Sequence, residues 1–193
     1  SNNTGIGYAA GTAITTGTQN TLIGSEAGDA MTDALLNVAV GYQALSGETS
    51  GRKSIGIGYG ALLVQNITTN TDVFNVAIGH FAGGSVTTGQ FNTLVGGIAG
   101  DALTTGTRNV VLGYNALTSD TQGSKSVAIG LGTLQDQNFT TATDSLNTAV
   151  GHGAGSSVTT GTENTLIGGV AGDALTTGTQ NVAIGVNALG QET

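Results

Sequence analysis

Apolar and polar positions in this chain alternate over very short runs, and one such run returns eleven times. It reads Asn or Ser; Thr, Val or Ile; a small or apolar residue; Ile, Val or Leu; Gly; two variable residues; and a small residue. Asn37-Val38-Ala39-Val40-Gly41, Ser126-Val127-Ala128-Ile129-Gly130 and Asn181-Val182-Ala183-Ile184-Gly185 are examples. Period-two alternation over three to five residues, bounded by Gly and Asn, predicts a short β-strand. The motif glycines (Gly7, Gly24, Gly41, Gly58, Gly79, Gly96, Gly113, Gly130, Gly151, Gly168 and Gly185) are spaced 17 apart, except for two spacings of 21. Four units make a super-repeat of 72 residues, so that Asn92 to Asn109 and Asn164 to Asn181 are nearly the same sequence. A 17-residue unit holding a strand and a tight turn is too small for a strand plus a helix. The expected fold is therefore all-β: a parallel β-solenoid or β-roll of eleven stacked coils, one repeat array over residues 1–193.

In each strand the first and third residues share a face. The third is always aliphatic (Ile6, Ile23, Val40, Ile57, Ile78, Val95, Leu112, Ile129, Val150, Ile167, Ile184), so this column is expected to point inward. The invariant Gly after it implies a bend at positive φ or a close approach of neighbouring backbone. The Ala three residues later, replaced once by Thr133, implies a site without room for a large side chain. A second apolar column holds Ile14, Met31, Leu103, Val158 and Leu175, while other units carry Leu earlier, at Leu45, Leu62, Leu117, Leu134 and Leu189. Each coil thus keeps one large apolar group. Asn opens nine units and Ser two, and the Asn side chains either stack as a ladder between coils or cap the turn before each strand.

Composition narrows the class. Glycine occurs 34 times, proline, cysteine and tryptophan never, and only 8% of residues are charged. The β-branched content and low charge exclude a disordered chain, and the lack of a Gly-X-Y period excludes collagen. The net charge is −8, and the four basic residues, Arg52, Lys53, Arg108 and Lys125, form no dense patch, which argues against a nucleic-acid partner. No run is long and apolar enough for membrane insertion. Nothing resembles a catalytic triad, a P-loop, paired catalytic carboxylates or a calcium-binding repeat, so no enzyme activity, metal or cofactor is expected. His80 and His152 follow the motif Gly at the station taken by Tyr8, Tyr42, Tyr59 and Tyr114, which marks it as a place for flat rings.

The motif units at Ser126–Gly130 and Asn181–Gly185 resemble the head repeats of trimeric autotransporter adhesins. Asn37-Val38-Ala39-Val40-Gly41-Tyr42-Gln43-Ala44-Leu45 and Asn109-Val110-Val111-Leu112-Gly113-Tyr114-Asn115-Ala116-Leu117 resemble repeat arrays of phage tail fibres. The likeness spans the chain, although its units are longer than the adhesin head unit. It implies a β-roll packed as a homotrimer, a structural fibre used for attachment, at the virion surface or outside the cell.

The two 21-residue units insert Gln65–Asp72 and Gln137–Asp144, and insertions in solenoids collect on one face, often the binding face. Asn66, Ile67, Thr68, Asn138, Phe139 and Thr140 are therefore candidate surface-contact residues, for a cell-surface receptor or glycan. Both inserts are expected on the same side, four coils apart. The motif starts at Asn3 and the sequence stops eight residues after Gly185, so an excerpt of a longer fibre is expected. Two other readings are an ice-binding solenoid, suggested by the Thr pairs at Thr15, Thr87, Thr104, Thr159 and Thr176, and an extracellular matrix or surface-layer filament.

Overall fold

The structure, a computed structural model, describes residues 2–190. Eleven three-residue strands stack in one parallel sheet: β1 (Thr4–Ile6), β2 (Thr21–Ile23), β3 (Val38–Val40), β4 (Ile55–Ile57), β5 (Val76–Ile78), β6 (Thr93–Val95), β7 (Val110–Leu112), β9 (Val127–Ile129), β11 (Thr148–Val150), β12 (Thr165–Ile167) and β13 (Val182–Ile184). A two-stranded sheet pairs β8 (Gly123–Ser124) with β10 (Thr143–Asp144). The described residues contain no helix. Equivalent residues of successive coils face each other one to one, as in Thr21↔Val38, Leu22↔Ala39 and Ile23↔Val40. Each coil is one turn of a parallel β-solenoid, and its backbone groups find partners in the coils above and below.

The strand faces are the reverse of the sequence-based expectation. The middle residue points inward: Leu22, Ala39, Ala77, Leu94, Val111, Ala128, Ala149 and Leu166 are all buried. The first and third residues point outward, and in the third column Ile78 is 38% exposed and Leu112 47%. The physical reason is room. A 17-residue coil encloses a narrow interior, already shared by the strand's middle residue, the Ala after the Gly and one large apolar side chain, which leaves no space for a further β-branched column. The sequence does carry the signal. The first position accepts Thr five times, at Thr4, Thr21, Thr93, Thr148 and Thr165, whereas the middle position never holds a polar side chain.

The single large apolar group per coil is as expected. Met31, Leu103 and Val158 are buried in some coils and Leu45, Leu62, Leu117 and Leu134 in others, and Val86 joins the first set. The shift is made at a left-handed residue. Leu45 and Leu62 sit at φ 53° and 52°, and Gly28 and Gly83 take the same conformation when the large group lies further on. Left-handed backbone costs a non-glycine residue roughly 1–2 kcal/mol, so the buried Leu must more than offset it.

The motif glycines meet both demands read from the sequence. Gly41 lies at φ 132°, and a Cβ built on it would stand 2.5 Å from the carbonyl oxygen of Gly58. Gly41→Ala is expected to destabilise the fold by about 2–5 kcal/mol through backbone strain and overpacking. A melting curve followed by circular dichroism checks this, and an unchanged midpoint would refute it.

Candidate functional site

Two features stand out from the regular stack: a buried polar seam and an outward apolar face. The seam runs through the motif Asn residues. Asn92 Oδ1 accepts from the backbone N–H of Asn109 at 3.0 Å, and Asn92 Nδ2 donates to the Gly106 carbonyl at 2.9 Å. The same pair of bonds recurs at Asn20, Asn37, Asn75, Asn109, Asn147 and Asn164. Of the two roles left open by the sequence, the ladder is the one the structure shows. Each Asn satisfies two backbone groups that would otherwise be buried without partners.

Ser54 and Ser126 are too short to continue the ladder, and a buried relay replaces it. Gln65 Nε2 donates to Ser54 Oγ at 3.1 Å and to Glu48 Oε2 at 2.7 Å, while its Oε1 accepts from Asn75 at 2.8 Å. Gln137 does the same between Ser126, Asp120 and Asn147. Glu48 and Asp120 are fully buried carboxylates. Glu48 takes four donors, none cationic: the backbone N–H of Ser50, Gly51 and Ile67, and Gln65. Asp120 takes Gly123, Phe139 and Gln137. Burial raises the Asp120 pKa above its ordinary value, and these hydrogen bonds oppose the rise. The carboxylates occupy the second apolar column only in coils where Leu has moved earlier.

This relay also anchors the inserts. The Ile67 amide donates to Glu48 and the Phe139 amide to Asp120, and both side chains are buried. They fasten the loops to the core, so of the six candidate contact residues only the others are available to a partner. Asn66, Thr68 and Thr140 are exposed and Asn138 is half-buried. Thr49 and Thr121 donate to Asn66 and Asn138 at 2.9 and 3.2 Å. Both inserts leave the coil at the same station, 72 residues apart. Salt bridges from Lys53 to Asp72 and from Lys125 to Asp144 tie each insert to the coil before it. Asn70 of the first insert also reaches Asp33 at 3.0 Å.

The outward face carries the two aliphatic strand columns. Beside it Tyr42, Tyr59 and His80 stack with ring centroids 5.2 Å apart, so His80 packs as one ring in a column. Among the described residues no group of three or more His, Asp or Glu side chains is placed to hold a metal, and no helix is long and apolar enough to cross a membrane. Asp29, Asp101 and Asp173, one per super-repeat, each have a buried Oδ1 without a hydrogen-bond partner. No protein-family model, curated protein or solved structure matches the chain.

Asn92→Ala leaves an N–H and a carbonyl buried and unpaired, and is expected to cost about 2–4 kcal/mol by thermal denaturation. Asn92→Ser should rescue little, because Leu103 stands where the relay needs a Gln. Stability should also depend on pH through Asp101, whose pKa is raised from 3.8, first by desolvation. A raised pKa means the folded state binds the proton more tightly than the unfolded chain. The stability Asp101 contributes is therefore complete below pH 3.8 and lost as the pH rises through its folded-state pKa. Asp101→Asn should flatten that part of the melting temperature profile between pH 3 and 7, and an unaltered difference between variant and parent at all pH values would refute the assignment.

Proposed function

We propose that the chain is a structural fibre protein. It forms a rigid shaft for attachment, of the phage tail fibre or adhesin kind, that self-associates as a homotrimer outside the cell or at the virion surface. The observation that carries this reading is the outward sheet face, two columns wide and eleven strands long, with an aliphatic residue at every third-column position. Strands about 4.8 Å apart make that face roughly 50 Å long. An apolar surface of this extent marks an interaction site.

Its width supports three copies. Four residue rises span ~13 Å, and an equilateral triangle of that side has an inscribed radius of about 4 Å, close to the reach of one Val or Ile side chain. Three faces turned to a common axis would fill the interior with these side chains. Four would leave an open channel. Two copies packed face to face would also cover the columns, and mass separates the two cases.

Ice binding has less support. Thr15, Thr87, Thr104 and Thr159 each donate the hydroxyl to a backbone carbonyl of the next coil, at 2.9–3.1 Å, so these groups serve the stack rather than water. A surface-layer filament would use the same rod, and electron microscopy of native material separates it from a virion fibre by what it is attached to.

Light scattering on the purified chain should give three times 18.9 kDa, and thermal hysteresis should be absent. Ile78→Asp, which puts a charge on the outward face without touching the coil interior, should dissociate the assembly while preserving the β signal of each chain. A monomeric parent protein would overturn the trimer.

A further inference from the structure

The outward face is bordered by two edges whose side chains do not meet within one chain. The first edge is formed by the residue before each motif Asn or Ser, held at positive φ, as at Lys53, Phe74, Phe91 and Arg108. There they form a ridge. Phe74 and Phe91 stack with centroids 5.9 Å apart and are 46% and 43% exposed. Lys53 Nζ lies 5.0 Å from the Phe74 ring centre and Arg108 Cζ 5.4 Å from that of Phe91, which closes the stack at both ends. The second edge follows the motif Gly. In the same coils it holds an apolar groove lined by Leu63, Val64, Phe81 and Ile98.

Ridge and groove are level with each other. Phe74 and Phe81 flank β5, and Phe91 and Ile98 flank β6. They also change together along the chain. Seventy-two residues on, the ridge residues Phe74, Phe91 and Arg108 become Leu146, Glu163 and Gln180, while Leu63, Val64 and Phe81 of the groove become Gln135, Asp136 and Gly153. The inward positions barely change between the two super-repeats, so the core does not require this shift. Two edges separated by the ~13 Å width of the sheet have no contact within one chain that would couple them.

We propose that the ridge of one copy seats in the groove of the next. Phe74 and Phe91 would enter the groove beside the neighbour's Phe81 and Ile98, with Lys53 and Arg108 level with Tyr59 and Tyr114 as cation–π partners. This rests on the self-association proposed above and deepens it. Copies related by rotation about the fibre axis must join unlike edges, one edge of each meeting the other edge of its neighbour. The copies then run parallel and in register, and the aromatic coils fix which level meets which.

The chain contains no cysteine, so introduced pairs report contacts without background. Under mild oxidation the double variant F91C/I98C should form disulfides between chains and run on a non-reducing gel as a covalent trimer. F91C and I98C alone should stay uncrosslinked. L146C/H152C, the corresponding edge pair beside β11, should behave as the first pair does, and stands in for it if F91C/I98C does not assemble. A trimer by light scattering that neither pair crosslinks would overturn the ridge-and-groove contact while leaving self-association intact. Crosslinking of F91C by itself would show like edges meeting in an antiparallel pair. A monomer in solution would remove the self-association on which the contact rests.

Discussion

Partners along the stacking axis govern this protein. A coil of 17 residues has no means of satisfying its own backbone. The amide of Thr21 bonds Asn37 of the next coil at 2.9 Å, that of Gly24 bonds Ile6 of the preceding coil at 2.7 Å, and the pattern repeats at every strand. The coils must therefore lie at β-sheet spacing all around their circumference, not only at the strands. The motif Gly is invariant because its neighbour's carbonyl occupies the space of a Cβ, and the Asn is retained because it bonds two backbone groups that the turn leaves unpaired. No single coil has a stable existence apart from the stack, as in other solenoids.

The same spacing limits what the interior can hold. With coils this close, a cross-section admits one large side chain, and its source is free to move along the coil only if something fills the place it leaves. When Leu45 and Leu62 supply it, Glu48 and Gln65 occupy the vacated column. A buried carboxylate is normally a liability. Here Glu48 accepts from three backbone amides and a Gln, so its lone pairs are met without a cation. It is also the acceptor at the end of a chain of donors that begins at Asn75, which explains why an amide could not replace it without turning two donors on each other. The relay restores the ladder across Ser54 and at the same time pins the start of the insert through the Ile67 amide.

The architecture was legible in the sequence because periodicity encodes stacking directly. Spacing, strand position, parallel order and the exchange between Leu62 and Val86 type coils all follow from residues that recur at fixed intervals. The direction of the strand faces was not read correctly, since Val40 and Ile129 look like core residues in any soluble protein. Their orientation follows from the width of the coil, and a three-residue strand shows width only through what its middle position tolerates. Similarly, Ile67 and Phe139 have the appearance of loop residues offered to a partner. What fixes them inward is a buried carboxylate 19 residues earlier, a relation of the third dimension with no periodic signature. The stacked Lys53, Phe74, Phe91 and Arg108 were invisible for another reason: their spacings pass through the 21-residue coil, so they align only once the coils are superposed.

A solenoid whose interior is filled with small side chains gains little from each coil's own core, and the large aliphatic residues stand on the outer pleat instead. That distribution is backwards for a monomer, where burial of Ile and Val drives folding. It is consistent if the outer pleat is itself an interior, shared among copies, with the coil acting as a thin wall between that interior and solvent. The Thr, Ser and Asn stations on the remaining sides then form the true exterior, and their hydroxyls are spent on stitching coils together. Stiffness along the axis comes from the ladders, and the apolar columns would add cohesion between chains. Such a division of labour suits a load-bearing shaft better than a surface built to bind along its whole length.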